Sequence, residues 1–162
     1  MKHISTEPVL FYEKEFYVLS NFSSFEVFYK NEVWKTSEYA YQASGFTDKK
    51  IIERIKNARS SHDAMKLSKI TFIDKKRKDW DLVKLGIMID ICREKLKQHF
   101  YVQKKLLQTG DRELIENSPR DSFWGWGPNK DGHNHLGKIW MKLREEIREG
   151  KIPLLKEDPE FR

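Results

Sequence analysis

"KDWDLVKLGIMIDICREKLKQHF", residues 78–100, is the longest periodic stretch of the chain, and its reading decides the fold class. Trp80, Val83, Ile87 and Ile91 recur at spacings of three and four, and Leu96 and Phe100 continue the series. Leu85, Met88 and Cys92 widen the stripe, as expected of a helix buried at the centre of a mainly helical domain. On this pattern alone Trp80 is a core residue.

Beyond it, "VQKKLLQTG" gives a short helix stopped at Gly110, and "RELIENS" reads as a strand or a turn. Residues 118–137, "SPRDSFWGWGPNKDGHNHLG", are loop-like because Gly, Pro, Asn and Asp dominate. "HLGKIWMKLREEIRE" then closes the domain as an amphipathic helix with Ile139, Leu143 and Ile147 on one face. The tail "KIPLLKEDPEFR" is expected to pack loosely.

Toward the N-terminus, Ile51, Ile52 and Ile55 mark a surface helix over 48–58, and Ser60 or Ser61 opens another through Lys69. "SEYAYQASGF", 37–46, is a further helix, capped by Thr36 or Ser37, with Glu38 in its first turn. Earlier, "VLFY" at 9–12 and "SFEVFYKNEVWK" at 24–35 read as strands, the second folded into a hairpin at Lys30-Asn31. The expected fold is therefore α+β, a predominantly helical single domain over 1–150 with a small N-terminal β-hairpin region and a tail over 151–162.

At 162 residues the chain can bury a core without staples. A formal charge of +6 and a pI near 9.3 suit a phosphate-bearing ligand or nucleic acid without selecting either. The cluster "KKRK" at 75–78 reads as a solvated helix start. The single cysteine, Cys92, excludes an internal disulfide and a cysteine zinc site, and its isoleucine neighbours point to a buried thiol. With no long apolar run and no signal-peptide pattern, no membrane association and a cytoplasmic location are expected.

Phosphate loops of the Walker type, HExxH zinc motifs and GxGxxG dinucleotide motifs are absent from the sequence. His133 and His135 lack a third ligand at matched spacing, so no metal is expected. What remains is carboxylates near aromatics. Glu38, Tyr41, Gln42 and Gly45 share one helix face, and Asp121 precedes "FWGWG". Rings can stack on a heterocyclic base, while carboxylates stabilise a cationic sugar or activate water, which suggests a nucleoside-like ligand. Trp124 and Trp126 serve equally well as packing for the last helix, and Gly125 and Gly127 admit close approach of backbone or simply a turn.

"LSNFSSFEV" at 19–27, "WKTSEYAYQA" at 34–43, "RKDW" at 77–80, "LLQTGDRELIENSPRDSFWGWG" at 106–127 and "NHLGKIWMKLREEI" at 134–147 resemble, in order, the blocks of the YbiA-like or NADAR family. The resemblance implies N-glycosidase activity without cofactor. Its substrates would be phosphoribosylamino-pyrimidine intermediates of riboflavin synthesis, releasing ribose 5-phosphate, or ADP-ribosylated guanine in nucleic acid, releasing ADP-ribose. It also implies catalytic roles for Glu38 and Asp121. The implied substrate-binding set is Ser20, Asn21, Phe22, Trp34, Ser37, Gln42, Trp80, Trp124, Gly125, Gly127, Asn134 and Gly137.

Two positions depart from the family pattern. Tyr39 stands where histidine is common, and Gly45 stands where a lysine is expected. Either another group, such as Lys35 or a water activated by Glu38, replaces that lysine, or the chain is a catalytically impaired module that binds ADP-ribose or modified nucleic acid.

Overall fold

The computed structural model describes residues 5–157. The chain forms two compact units, one from residues 1–20 with 99–162 and the other from residues 21–98. Its fold is α+β and mainly helical, with two small two-stranded sheets among the described residues.

In the unit formed by 21–98, β2 (Val27–Tyr29) and β3 (Glu32–Trp34) pair antiparallel, Val27 opposite Trp34. Lys30 and Asn31 both have left-handed backbone, with φ of 50° and 64°. That is the two-residue turn whose twist suits a hairpin. Val27, Tyr29 and Trp34 face inward, and the Trp34 indole N–H donates to the Tyr29 carbonyl at 3.3 Å. This tryptophan closes the hairpin.

Three short helices follow: α1 (Ser37–Ala43), α2 (Lys49–Lys56) and α3 (Ser61–Lys66). Asp48 caps α2 by accepting from the Lys50 amide, and Ser60 caps α3 by accepting from the Asp63 amide. Thr36 stands at the start of α1 with extended backbone but does not cap it. Its hydroxyl lies 2.8 Å from that of Ser61 and ties α1 to α3.

The long periodic stretch becomes α4, Trp80–Gln98, packed on β2 and α1. Ile87, Met88, Ile91, Cys92 and Leu96 are buried as the spacing predicts. The helix ends two residues sooner than the apolar series does, because His99 is extended and Phe100 opens the next helix. Gln98 meets the β2 edge like another strand, accepting from the Phe28 amide and donating to its carbonyl, both at 2.8 Å.

In the other unit, β1 (Val9–Phe11) pairs in parallel with β4 (Leu114–Glu116), which resolves "RELIENS" as a strand. A 3-10 helix over Lys14–Leu19, α5 (Phe100–Gln108) and α6 (His135–Arg148) complete it. Ile139, Leu143 and Ile147 are buried on α6, and the Trp140 indole donates to Leu19 O at 2.9 Å. The tail is held more firmly than expected. Ile152 is buried, and the Gln103 amide donates to Pro153 O and accepts from the Leu155 amide. Residues 158–162 of the tail lie outside the described residues.

Candidate active site

Helix α1 carries the first group of candidates. A helix of seven residues with every side chain buried, Glu38 at 6% and Gln42 at 1% exposure among them, is unusual for polar residues. One turn apart, the two converge, and the Gln42 amide donates to Glu38 Oε1 at 2.7 Å. Among the described residues the other end of that amide, Oε1, is buried without a hydrogen-bond donor. A buried acceptor left so costs about 1–3 kcal/mol.

Asn21 and Ser37 hold the start of that helix. The Glu38 amide donates to Asn21 O at 3.0 Å, and Ser37 Oγ donates to Asn21 O and Oδ1 at 3.3 and 3.0 Å. Asn21 Nδ2 donates to the Met88 sulfur at 3.3 Å, and Cys92 Sγ donates to Oδ1 at 3.9 Å. The amide of Asn21 is thus engaged at both ends, fixing where Glu38 sits. Cys92 is buried, as its neighbours foretell.

Around the C-terminal end of α1, the Tyr41 and Trp80 rings lie 5.1 Å apart. Trp80 is buried, in keeping with its pattern, yet lies against the candidate face through Tyr41. Gly45 has ordinary backbone. A Cβ there would meet Lys76 Cε at 3.3 Å and Cγ at 3.6 Å, so the aliphatic stem of Lys76 fills the space beside the glycine. The "KKRK" cluster is accordingly not uniformly solvated: Lys75 and Lys78 are exposed, while Lys76 and Arg77 are partly covered.

Tyr39 points elsewhere. Its hydroxyl donates to Ala58 O at 2.8 Å, and burial, with the nearby Asp63 charge, raises its pKa above the usual value, so it stays protonated at neutral pH. Lys35 reaches the same carbonyl at 3.4 Å and lies over the Tyr39 ring. Both brace the α2–α3 junction.

The second group lies in the loop before α6. Asp121 Oδ1 accepts from the amides of Phe123 and Trp124, both at 2.8 Å, while Oδ2 accepts no hydrogen bond among the described residues. Ser118 Oγ accepts in turn from the Asp121 amide at 3.0 Å. Trp124 is buried and meets Phe123 edge-on at 4.7 Å. Trp126 donates through its indole to Asn117 Oδ1 at 2.9 Å.

The glycines here serve close packing. A Cβ on Gly125 would come within 2.7 Å of Glu116 O, and Gly127 has φ of 71° with Ser122 Cβ 2.8 Å from such an atom. Gly137 is tightest, at 2.0 Å from Leu114 O, which lets α6 lie directly on β4. Asn134, left-handed before α6, donates to Leu114 O and accepts from the Glu116 amide, both at 2.9 Å. Its buried amide is thus bound to the β4 backbone, which explains its presence without a ligand.

Ser20 is buried and ends the 3-10 helix, its amide donating to Tyr17 O at 2.9 Å, while Phe22 is half-buried just beyond. His133 and His135 stack at 5.2 Å, and no group of three metal-ligating side chains occurs among the described residues. Two lysines escaped sequence reading. Lys95 is wholly buried in α4, donates to Ser23 Oγ at 2.9 Å, and burial lowers its pKa to about 7. Its place at the edge of the wide apolar stripe, one residue before Leu96, was the available signal. Lys76 is the other.

A buried carboxylate held by an amide on one helix face can stabilise a developing positive charge or activate water. The sequence model of the NADAR domain family matches residues 10–148, and the chain belongs to that family. It is 45% identical over 132 residues to a Nostoc punctiforme protein named N-glycosidase Npun_R5314, covering 80% of this chain and 84% of that one. The Vibrio vulnificus protein named Riboflavin biosynthesis protein VVA0006 is 36% identical over 149 residues, 91% of this chain but 40% of that longer one. N-glycosidase YbiA of Escherichia coli is 34% identical over 131 residues, 79% of each. The NMR structure of E. coli YbiA matches with a TM-score of 0.81 at 29% identity, covering 95% of this chain and 93% of that one.

Proposed function

We propose that this protein is an N-glycosidase that hydrolyses the bond between ribosyl C1′ and nitrogen in a phosphoribosylamino-pyrimidine, releasing the free pyrimidine and ribose 5-phosphate. The observation that carries the reading is the 2.7 Å hydrogen bond from Gln42 to Glu38 on a buried helix face. The names of the relatives, N-glycosidases and a riboflavin biosynthesis protein, support the substrate class.

In this reading Glu38 is the acid-base group. As the C1′–N bond breaks, the sugar ring becomes cationic, and the carboxylate steadies that charge. It takes a proton from the attacking water, whose oxygen bonds to C1′, and passes that proton to the departing nitrogen, which keeps the electron pair of the broken C1′–N bond. Gln42 fixes the orientation of the carboxylate, and its unpartnered Oε1 accepts from a sugar hydroxyl when substrate is present. In the other unit, Asp121 is a second candidate carboxylate and Trp124 a candidate ring.

The test is chromatographic: incubation with the phosphoribosylamino-pyrimidine should release free base and ribose 5-phosphate. ADP-ribosylated guanine in an oligonucleotide forms the parallel arm, and release of ADP-ribose alone would move the substrate to that class. Binding of ribose 5-phosphate with no turnover in either arm would favour the second reading, a binding module, which Gly45 motivates.

A further inference from the structure

Gly45 lies two turns beyond Glu38, just past the end of α1, and the residue filling the space beside it comes from a distant part of the sequence. The backbone secures that approach, because the Arg77 amide donates to Gly45 O at 2.8 Å and so holds the 76–77 segment against the helix end. From there the Lys76 ammonium lies 5.4 Å from the Trp80 ring centre and 5.7 Å from that of Phe46. Trp80 in turn packs on Tyr41, on the same helix face as Glu38 and Gln42. A cation is thereby set beside aromatic rings at the C-terminal end of the candidate face.

We infer that Lys76 is a substrate-contacting residue whose ammonium binds the phosphate of the ribosyl substrate, in the place that a lysine side chain at position 45 would otherwise reach. This rests on the N-glycosidase reading for the identity of the substrate, although its binding arm stands without turnover.

Three further observations support the assignment. Among the described residues the Lys76 ammonium donates no hydrogen bond and joins no ion pair, and its near neighbours are ring faces. Arg77 and Lys84 beside it are each paired, with Asp79 and Asp81. Partial burial lowers the Lys76 pKa, and the nearby charges of Lys69 and Lys84 lower it further, with Asp81 opposing. Cations brought together against their mutual repulsion, one of them half-covered, favour the arrival of an anion. Lys35 lacks all of this, because its ammonium is turned to Ala58 O on the Tyr39 side of α1.

The experiment is calorimetric titration of ribose 5-phosphate into the parent protein, Lys76→Met, Lys76→Arg, and the double variant Lys76→Met with Gly45→Lys. Methionine keeps the stem beside Gly45 and removes only the charge, and thermal melting of each variant verifies folding. Removing one charged partner should weaken ribose 5-phosphate binding about tenfold or more in Lys76→Met. Arginine should keep affinity within about threefold, and a lysine at 45 should restore most of the loss, which a merely structural role for Lys76 would not allow.

Parent-like affinity in Lys76→Met, no rescue by either lysine or arginine, or no binding of ribose 5-phosphate by the parent would each overturn the assignment. Turnover kinetics separate it from the wider reading. If the parent hydrolyses substrate and Lys76→Met leaves KM unchanged, Lys76 is refuted and the N-glycosidase stands. If the parent binds ribose 5-phosphate in a Lys76-dependent way yet turns nothing over, the assignment stands and the N-glycosidase falls.

Discussion

The α1 face and the loop before α6 both collect candidate residues, but they treat their polar groups in opposite ways. In the loop, the Asn134 amide, one oxygen of Asp121 and the bare Cα atoms of Gly125, Gly127 and Gly137 all serve the backbone around them. On α1, Gln42 keeps a buried oxygen without a donor. The same unit also holds Lys76 over rings and Lys95 in the apolar interior. If the α1 face is held for a ligand, substitutions should lower stability in the loop and spare it on the α1 side.

The largest effect is expected at Gly137. An alanine Cβ would sit 2.0 Å from Leu114 O, so α6 must lift from β4, and Gly137→Ala should cost about 3 kcal/mol or more in urea unfolding. A loss below about 1 kcal/mol would show that α6 yields easily and would weaken the contrast.

Lys95→Met should act in the reverse sense, stabilising by about 1 kcal/mol, because an isosteric apolar chain replaces a wholly buried amine, a gain reduced by the lost hydrogen bond to Ser23 Oγ. A pH dependence accompanies it. The folded pKa is lowered to about 7 from 10.5, so between those values the unfolded chain holds a proton that the folded chain has released. Parent stability should then rise with pH from about 7 toward 9, and Lys95→Met should flatten that rise. Beside Lys95 stand Ser23, the Phe25 ring and the Cys92 thiol, so a Cys92→Ala control removes the only other titrating group of these. A flat parent profile would contradict the buried neutral amine.

Smaller still is the expected change from Gln42→Leu, within about 1 kcal/mol, because the orphaned oxygen disappears while the buried Glu38 Oε1 loses its donor. Turnover should nonetheless fall about tenfold, since Glu38 loses its orienting donor. Destabilisation with unchanged turnover would place Gln42 among the architectural residues instead.

At Asp121 the two roles separate. Alanine removes the acceptor for the Phe123 and Trp124 amides and should cost about 1 kcal/mol. Asparagine retains that acceptor, so stability should change by less than about 0.5 kcal/mol. Turnover should fall about tenfold with asparagine, reporting the charge on Oδ2 rather than the loop. Unchanged turnover would leave Asp121 with the loop alone.

Much of the fold was legible because its signals are local. The apolar period of 78–100 pointed to α4, which ends at Gln98, Lys30-Asn31 to the hairpin, and Ser60 or Ser61 to the start of α3, which Ser60 caps. The pairing of β1 with β4 was not, because three-residue strands about a hundred residues apart carry no register in their own letters. For the site, the shared face of Glu38 and Gln42 followed from helix spacing. For Asn134 and Trp34 the letters alone do not show the bonds they make to backbone carbonyls, because polar and aromatic side chains serve carbonyls and substrates with the same chemistry. Lys76 was hidden in a charge run, where only three-dimensional placement separates the half-covered lysine from its solvated neighbours.

Whether the α1 face exists for chemistry rather than for folding is decided by Glu38→Gln, with turnover and thermal melting measured on the same preparation. Turnover should fall about a hundredfold or more with a melting temperature unchanged or raised. Turnover within about fivefold of the parent, or a loss of turnover accompanied by a clear drop in melting temperature, would contradict the chemical role.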